Sequence, residues 1–131
     1  MGSHIVKPEY LLDSVVLIDH LRGVETATAW LGTLEEGQAV ISVVTRAEVL
    51  SGGVAEEGYA AGELCDKFEC LALTKDDATL AAELRRRNRW KLPDAFQAAL
   101  AKRHGLRLVT RDVRGFDGQK DAFVLVPYHL K

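Results

Sequence analysis

Cysteine is scarce in this chain, with two in 131 residues, Cys65 and Cys70. Neither has His or Cys partners at the spacing of a zinc site. One pair does not make a disulfide scaffold, so both read as ordinary, partly buried residues. No apolar run approaches the roughly 18 residues that a membrane span needs, which excludes a membrane partner on sequence grounds. Long polar tracts, internal repeats, linkers and low-complexity segments are also missing, which argues against disorder and against an array of modules. No secretory signal follows the opening Met1-Gly2-Ser3-His4, which reads as an expression-tag remnant, so a cytoplasmic location is expected. Histidine supplies no ligand set, because His20, His104 and His129 lack partner spacing. What remains is 47% apolar content, enough for one domain with its own core over residues 5–131.

Net charge is −2, which taken alone disfavours a polyanion partner. Its distribution reverses that reading. Of 17 Lys and Arg, ten lie between Arg85 and Arg114, against only two acids, Asp94 and Asp112. The rest of the chain holds seven bases and 17 of the 19 acids. Arg85, Arg86, Arg87, Arg89, Lys91 and Arg111 are therefore candidate RNA-backbone contacts, the alternative being a solvated helix surface.

Hydrophobic patterning predicts alternating strands and helices. Strands are expected at Tyr10 to Leu12, Ala39 to Ser42, Leu71 to Leu73, Leu106 to Thr110 and Phe123 to Val126. Between them, helices are expected from Ser14 to Leu21, Thr26 to Leu34, Val43 to Leu50 and Ala55 to Phe68. Two more follow, from Lys75 to about Trp90 with Thr74 as N-cap, and from Ala95 to His104 after Pro93 breaks the chain. Such alternation implies a parallel sheet wrapped by helices.

In open α/β sheets, functional groups collect beyond the carboxyl ends of the strands. Asp13 follows the first strand, Glu48 lies in the helix after the second, Asp94 stands at a helix start, and Asp112 follows the fourth strand. If the first and fourth strands are neighbours, all four can face one crevice. Carboxylates so gathered repel, and protonation or a cation must relieve them. Oxygen donors select Mg²⁺ or Mn²⁺, and such a pocket suits phosphodiester hydrolysis. Each acid also has a plainer reading. Asp13 and Asp94 can cap helices, Glu48 can be an exposed helical acid, and Asp112 a turn residue. Ser14, Ser42, Thr45 and Thr110 lie near the same strand ends and can orient the acids or simply cap. Trp30 and Trp90 read as core or interface rather than base-stacking platforms.

Four segments resemble the motifs of PIN-domain toxins of the VapC type. Leu11-Leu12-Asp13-Ser14-Val15-Val16-Leu17-Ile18-Asp19-His20-Leu21-Arg22-Gly23 is similar to their opening motif. Ile41 through Gly52, containing Thr45-Arg46-Ala47-Glu48, is similar to the second, Leu92-Pro93-Asp94-Ala95 to the third, and Leu108 through Phe116, containing Thr110-Arg111-Asp112, to the fourth. The resemblance implies a three-layer α/β/α fold with about five parallel strands in the order 3-2-1-4-5. It implies a homodimer and an Mg²⁺- or Mn²⁺-dependent endoribonuclease acting on RNA, with Asp13, Glu48, Asp94 and Asp112 as catalytic and metal-binding residues. It further implies a cognate VapB-like antitoxin whose tail lies in the active-site groove and can insert an Arg among the acids. Two positions depart from the family's habit. Val15 stands where a second hydroxyl often follows the first Asp, and Asp112 stands where Asn is frequent. Three rival readings are a PIN-domain RNA-maturation nuclease without an antitoxin, a receiver-like Mg²⁺-binding domain and a non-catalytic interaction module. The receiver lacks its adjacent acid pair, since Leu12 precedes Asp13, and its late Lys, since Pro127 follows Val126. The intact set of four acids opposes the non-catalytic module.

Overall fold

The computed structural model describes residues 6–52, 55–112, 115–116 and 121–130, without the side chains of 55–58. The tag expected over residues 1–4 lies outside them. In chain order the elements are β1 (Tyr10–Leu12), α1 (Ser14–Leu21), α2 (Glu25–Leu31), β2 (Ala39–Ser42), α3 (Val43–Ser51) and α4 (Ala55–Cys65). They continue with β3 (Glu69–Leu71), α5 (Lys75–Asn88), α6 (Leu92–His104), β4 (Arg107–Val109) and β5 (Val124–Leu125). The sheet runs β3-β2-β1-β4-β5, and every pairing is parallel.

Successive strand residues point to opposite faces, and β1 shows what this does at the centre of the sheet. Leu11 and Leu12 are both 0% exposed. Leu11 joins Val40, Leu108 and Val124 in a core covered by α5 and α6, through Ala81, Leu84, Ala98 and Leu100. Leu12 joins Ile41 and Val109 in a second core covered by α1, α3 and α4, through Val16, Leu17, Val49, Ala61 and Leu64. One strand thus feeds two cores, and three layers result. In α6 the run Ala98, Ala99, Leu100, Ala101 is buried on all sides. Its small side chains let the helix lie close to the sheet.

Several boundaries differ from those expected. β3 starts two residues early, at Glu69, because ladder bonds along the edge strand pair Val40 with Glu69 and Ser42 with Leu71. The more apolar stretch Leu71 to Leu73 mostly follows the strand. α4 ends at Cys65 rather than Phe68, and β4 and β5 are shorter than their apolar runs. α6 begins at Leu92, three residues early, with Pro93 in its first turn. A missing N–H is harmless there, so Pro93 starts the helix instead of breaking the chain before it. Cys65 is buried and Cys70 exposed, and both are free thiols. Among the described residues no helix is long and apolar enough to cross a membrane.

Two buried carboxylates tie neighbouring elements together. Thr74 caps α5 in a capping box with Asp77, and Arg103 of α6 donates to the fully buried Asp77 carboxylate. Burial pushes Asp77 up, but the Thr74 backbone N–H and Arg103 outweigh it and hold it below the usual range. Asp19 of α1, only 3% exposed, accepts two bonds from Arg111, Nε at 2.5 Å and Nη2 at 2.9 Å, and one from the Tyr128 hydroxyl at 2.8 Å. Arg111 foremost depresses its pKa.

Arg89, just past α5, is the one non-glycine residue with positive φ among those described, at φ 57° and ψ 29°. A left-handed backbone costs a residue with a Cβ about 1 kcal/mol. Arg89→Gly is therefore expected to stabilise the fold by up to about 1 kcal/mol, read as a higher urea midpoint with unchanged slope. A lower midpoint would show that the Arg side chain holds the turn. Asp19→Asn should cost about 3 kcal/mol at pH 7, since it leaves Arg111 without its partner. Because pairing lowers the folded-state pKa, that stability is present above the ordinary carboxylate range and lost as pH falls through and below about pH 4. Urea unfolding at pH 7 and pH 3 should show the deficit narrowing, and an equal deficit at both would assign it to packing.

Candidate active site

The parallel pairing of β1 with β4 sets the ends of the two strands side by side, and Asp13 N–H donates to the Val109 carbonyl at 2.9 Å. Asp13 then leaves the strand in extended geometry as the N-cap of α1, its Oδ1 accepting from Ser14 N–H at 2.9 Å. Its Oδ2 accepts from the Thr110 hydroxyl at 2.7 Å. The same Thr110 oxygen accepts the Asp112 backbone N–H at 3.1 Å. One buried hydroxyl thus fixes the positions of two candidate acids, and capping and pocket placement coincide at Asp13.

Beneath this pair lies a residue that the sequence reading passed over. Gln97 is 1% exposed. Its Oε1 accepts from Ser42 Oγ at 2.7 Å, and its Nε2 donates to Thr45 Oγ1 at 2.6 Å and reaches Asp13 Oδ1 at 3.5 Å. Thr45 donates to the Leu12 carbonyl at 3.0 Å, and its N–H is capped by Ser42 at 3.1 Å. Among the described residues, no buried side-chain N or O lacks a partner. The network locks the ends of β1 and β2 and the starts of α3 and α6 into one polar floor. Gln97 lies three residues after Asp94, hence on the same helix face. A lone amide in an Ala-rich buried helix was the available signal.

Glu48 and Asp94 enter from two helices and are partly buried. Lys91, without a side-chain bond, occupies the N-cap of α6, so Asp94 stands in the first turn rather than capping the helix. A Cβ placed on Gly115 would meet Asp94 Oδ2 at 3.3 Å, so the backbone after β4 comes close against that carboxylate. Burial raises Asp13, opposed by bonds from Thr110, Gln97 and Ser14 and helped by Asp112. Burial also raises Glu48, with the Ser14 hydroxyl opposing and Asp13 adding. Asp94 is pushed up to about 6, first by burial, then by Asp13, Asp112 and Glu48, with Lys91 opposing. Asp94 thus lies in the field of the other three acids.

Among the described residues, no three His, Cys, Asp or Glu side chains already form a group able to hold a metal ion. The donor chemistry nonetheless fits a hard divalent cation. Every candidate donor is a carboxylate oxygen, and three of the four have raised pKa values that an added positive charge would lower. Binding would then have to draw the carboxylates inward.

The basic candidates divide. Arg85, Arg86 and Arg89 line an open cleft of about 510 Å³ together with Ala82, Trp90 and Leu92. Arg87 pairs with Glu83 at 2.5 Å. Lys91 lies near enough to Asp94 to favour its charge, and Arg111 is engaged by Asp19.

A family model for the PIN domain matches residues 10–119. Ribonuclease VapC10 of Mycobacterium tuberculosis is 38% identical over 112 residues, covering 81% of this chain and 84% of that protein. A toxin–antitoxin complex from Klebsiella pneumoniae holds a chain with TM-score 0.82 and 30% identity, covering 93% of this chain and 100% of its own. FitAcB from Neisseria gonorrhoeae has a chain with TM-score 0.74 and 27% identity, covering 92% of this chain and 99% of its own.

Folding moves the Asp94 pKa from 3.8 to about 6. An acid raised in this way destabilises the fold where it is ionised, so the cost is present above about pH 6 and fades as pH falls towards 4. The full linkage over that interval is about 3 kcal/mol. With partial exposure, Asp94→Asn is expected to stabilise the metal-free protein by on the order of 1–2 kcal/mol at pH 7.5, and by little at pH 4. Thermal unfolding in EDTA at both pH values measures this. A variant no more stable than wild type at pH 7.5 would remove the case for crowded charge.

Proposed function

The chain belongs to the PIN domain family, and on that premise we propose that it is a metal-dependent endoribonuclease, the toxin of a toxin–antitoxin pair, hydrolysing RNA at the acidic pocket. The observation that carries this reading is geometric: the Thr110 hydroxyl bonds both Asp13 and the Asp112 backbone while the Gly115 backbone comes close to the Asp94 carboxylate, and Asp94 is raised first by burial and then by the other three acids. Its similarity to ribonuclease VapC10 and to a toxin–antitoxin complex supports the reaction class and the partner. Asp13, Glu48, Asp94 and Asp112 would hold Mg²⁺ or Mn²⁺, which when bound activates water and offsets charge on the phosphate.

The protein's own part is positioning and charge. Thr110 and Ser14 hold both oxygens of Asp13, and Gln97 stiffens the floor below it. Thr110 also holds the backbone of Asp112. The Asp13 carboxylate and the backbone that carries Asp112 are therefore fixed before substrate arrives, leaving side-chain movement alone to close the set around a cation. Glu48 and Asp94 complete the set from helices α3 and α6. The basic stretch from Arg85 to Lys91 compensates the pocket's repulsion of a polyanion. The antitoxin is VapB-like and covers the pocket groove. The toxin works as a homodimer in the cytoplasm.

Asp13→Asn and Asp94→Asn should each reduce cleavage of a defined RNA in Mg²⁺ by more than about 100-fold, since groups that merely support ligands are worth about 10–100-fold. Full cleavage by either variant would remove that residue from the site. Expression of the wild-type chain alone should arrest growth, and co-expression of its antitoxin should restore it. Normal growth with active nuclease would favour an RNA-maturation enzyme.

A further inference from the structure

We propose that the cleft between the end of α5 and the start of α6 anchors single-stranded RNA beside the bond to be cut, with a base on Trp90 and phosphates on Arg85, Arg86 and Arg89. The inference rests on the nuclease reading for its polyanion. The cleft itself rests on independent observations. At about 510 Å³ it falls within the range of small-ligand sites and accommodates a nucleotide.

Its cations are uncommitted. Among the described residues, none of Arg85, Arg86 and Arg89 has an acidic partner within 4.0 Å, whereas Arg87, on the same helix, pairs with Glu83 and does not line the cleft. The negative end of a helix dipole accounts for basic residues in the last turn of α5. It also favours a cation at Arg89, the C-cap, but it does not account for keeping a side chain in a left-handed backbone that glycine would adopt more easily. Nor does it account for the aromatic wall. Trp90 is partly exposed and braced by Phe116 and Phe123, with ring centroids at 4.9 and 6.5 Å and tilted planes. A fixed, partly open indole beside guanidinium groups suits an unstacked base with its flanking phosphates. Bases inside a duplex offer no such face.

The cleft also adjoins the acidic pocket. Leu92, on its wall, belongs to the same first turn of α6 as Asp94, though the two side chains leave that turn in different directions. Phe116, which braces Trp90, follows Gly115, whose backbone approaches the Asp94 carboxylate. A strand leaving the pocket around this turn of α6 has the cleft within reach.

The test is fluorescence anisotropy in EDTA, where no cleavage occurs, with a 12-nucleotide uridine RNA, an RNA duplex of the same length and a polyglutamate peptide. The triple variant Arg85→Ala/Arg86→Ala/Arg89→Ala should bind the single strand at least about tenfold more weakly, with the salt slope reduced by about 2, near 0.7 per phosphate contact. Trp90→Ala should weaken binding roughly 5- to 150-fold with little change in slope. Should that variant unfold, the arginine series decides, since those side chains are exposed. Arg107→Ala, at the opposite end of β4, is the charge control and should change binding little. Unchanged affinity and slope in the triple variant would overturn the proposal, as would an equal loss in the control. Duplex binding that equals single-strand binding and is equally lost in the triple variant would also overturn it. Loss of polyglutamate binding with RNA binding intact would assign the cleft to an acidic protein segment instead. Cleavage by wild type alongside unchanged binding by the triple variant rejects the cleft alone. Binding through the cleft without cleavage in Mg²⁺ rejects the nuclease reading alone.

Discussion

The crowding of Asp94 by burial and by the charges of Asp13, Glu48 and Asp112 is the constraint around which the rest of the pocket is arranged. Like charges in a half-buried pocket disfavour one another's ionised form and press outward on the segments that carry them. Asp94, in the first turn of α6, is raised first by its own burial and then by the other three acids. A fold that keeps such a group must hold its backbone by other means. Here the parallel sheet does so, since β1 and β4 are adjacent and each is buried between two cores.

The polar floor supplies the fine positioning. Ser42, Thr45 and Gln97 bond to one another and to the Leu12 carbonyl, with no charge among them. A neutral network can be buried without adding to the field above it, and a fully satisfied one resists displacement. Thr110 extends the same logic to the exit of β4, where its single hydroxyl serves Asp13 and Asp112 together. Through Gln97 and Thr110 this network holds Asp13 and the backbone of Asp112 in place.

Much of this was legible in the sequence, and for identifiable reasons. Buried strands bounded by caps made the alternating pattern plain, and the Thr74 cap of α5 was foreseen at the right residue. Strand order came from the motif resemblance, not from patterning, because apolar runs do not say which strands are neighbours. The misplaced starts of β3 and α6 have a common cause. Local composition was read where ladder bonds and the tolerance of a first turn for proline decided the outcome. Gln97 and Asp19 were missed because each is polar yet buried, and only tertiary partners distinguish such residues from surface ones. Arg111 illustrates the converse, since its charge suggested an RNA contact and its guanidinium is engaged by Asp19. Trp90, which its sequence context assigns to core or interface, both packs on the core and walls an open cleft.

The clamp of Asp19 on Arg111 and Tyr128 has a consequence for how the pocket can fail. Arg111 immediately precedes Asp112, and Tyr128, which follows β5, bonds the same Asp19 carboxylate. The segment after β5 is therefore a latch on the segment that carries Asp112. Loss of the Tyr128 hydroxyl removes one of the bonds that steady it, so a change remote from the pocket is transmitted to the candidate site while every acid remains chemically intact.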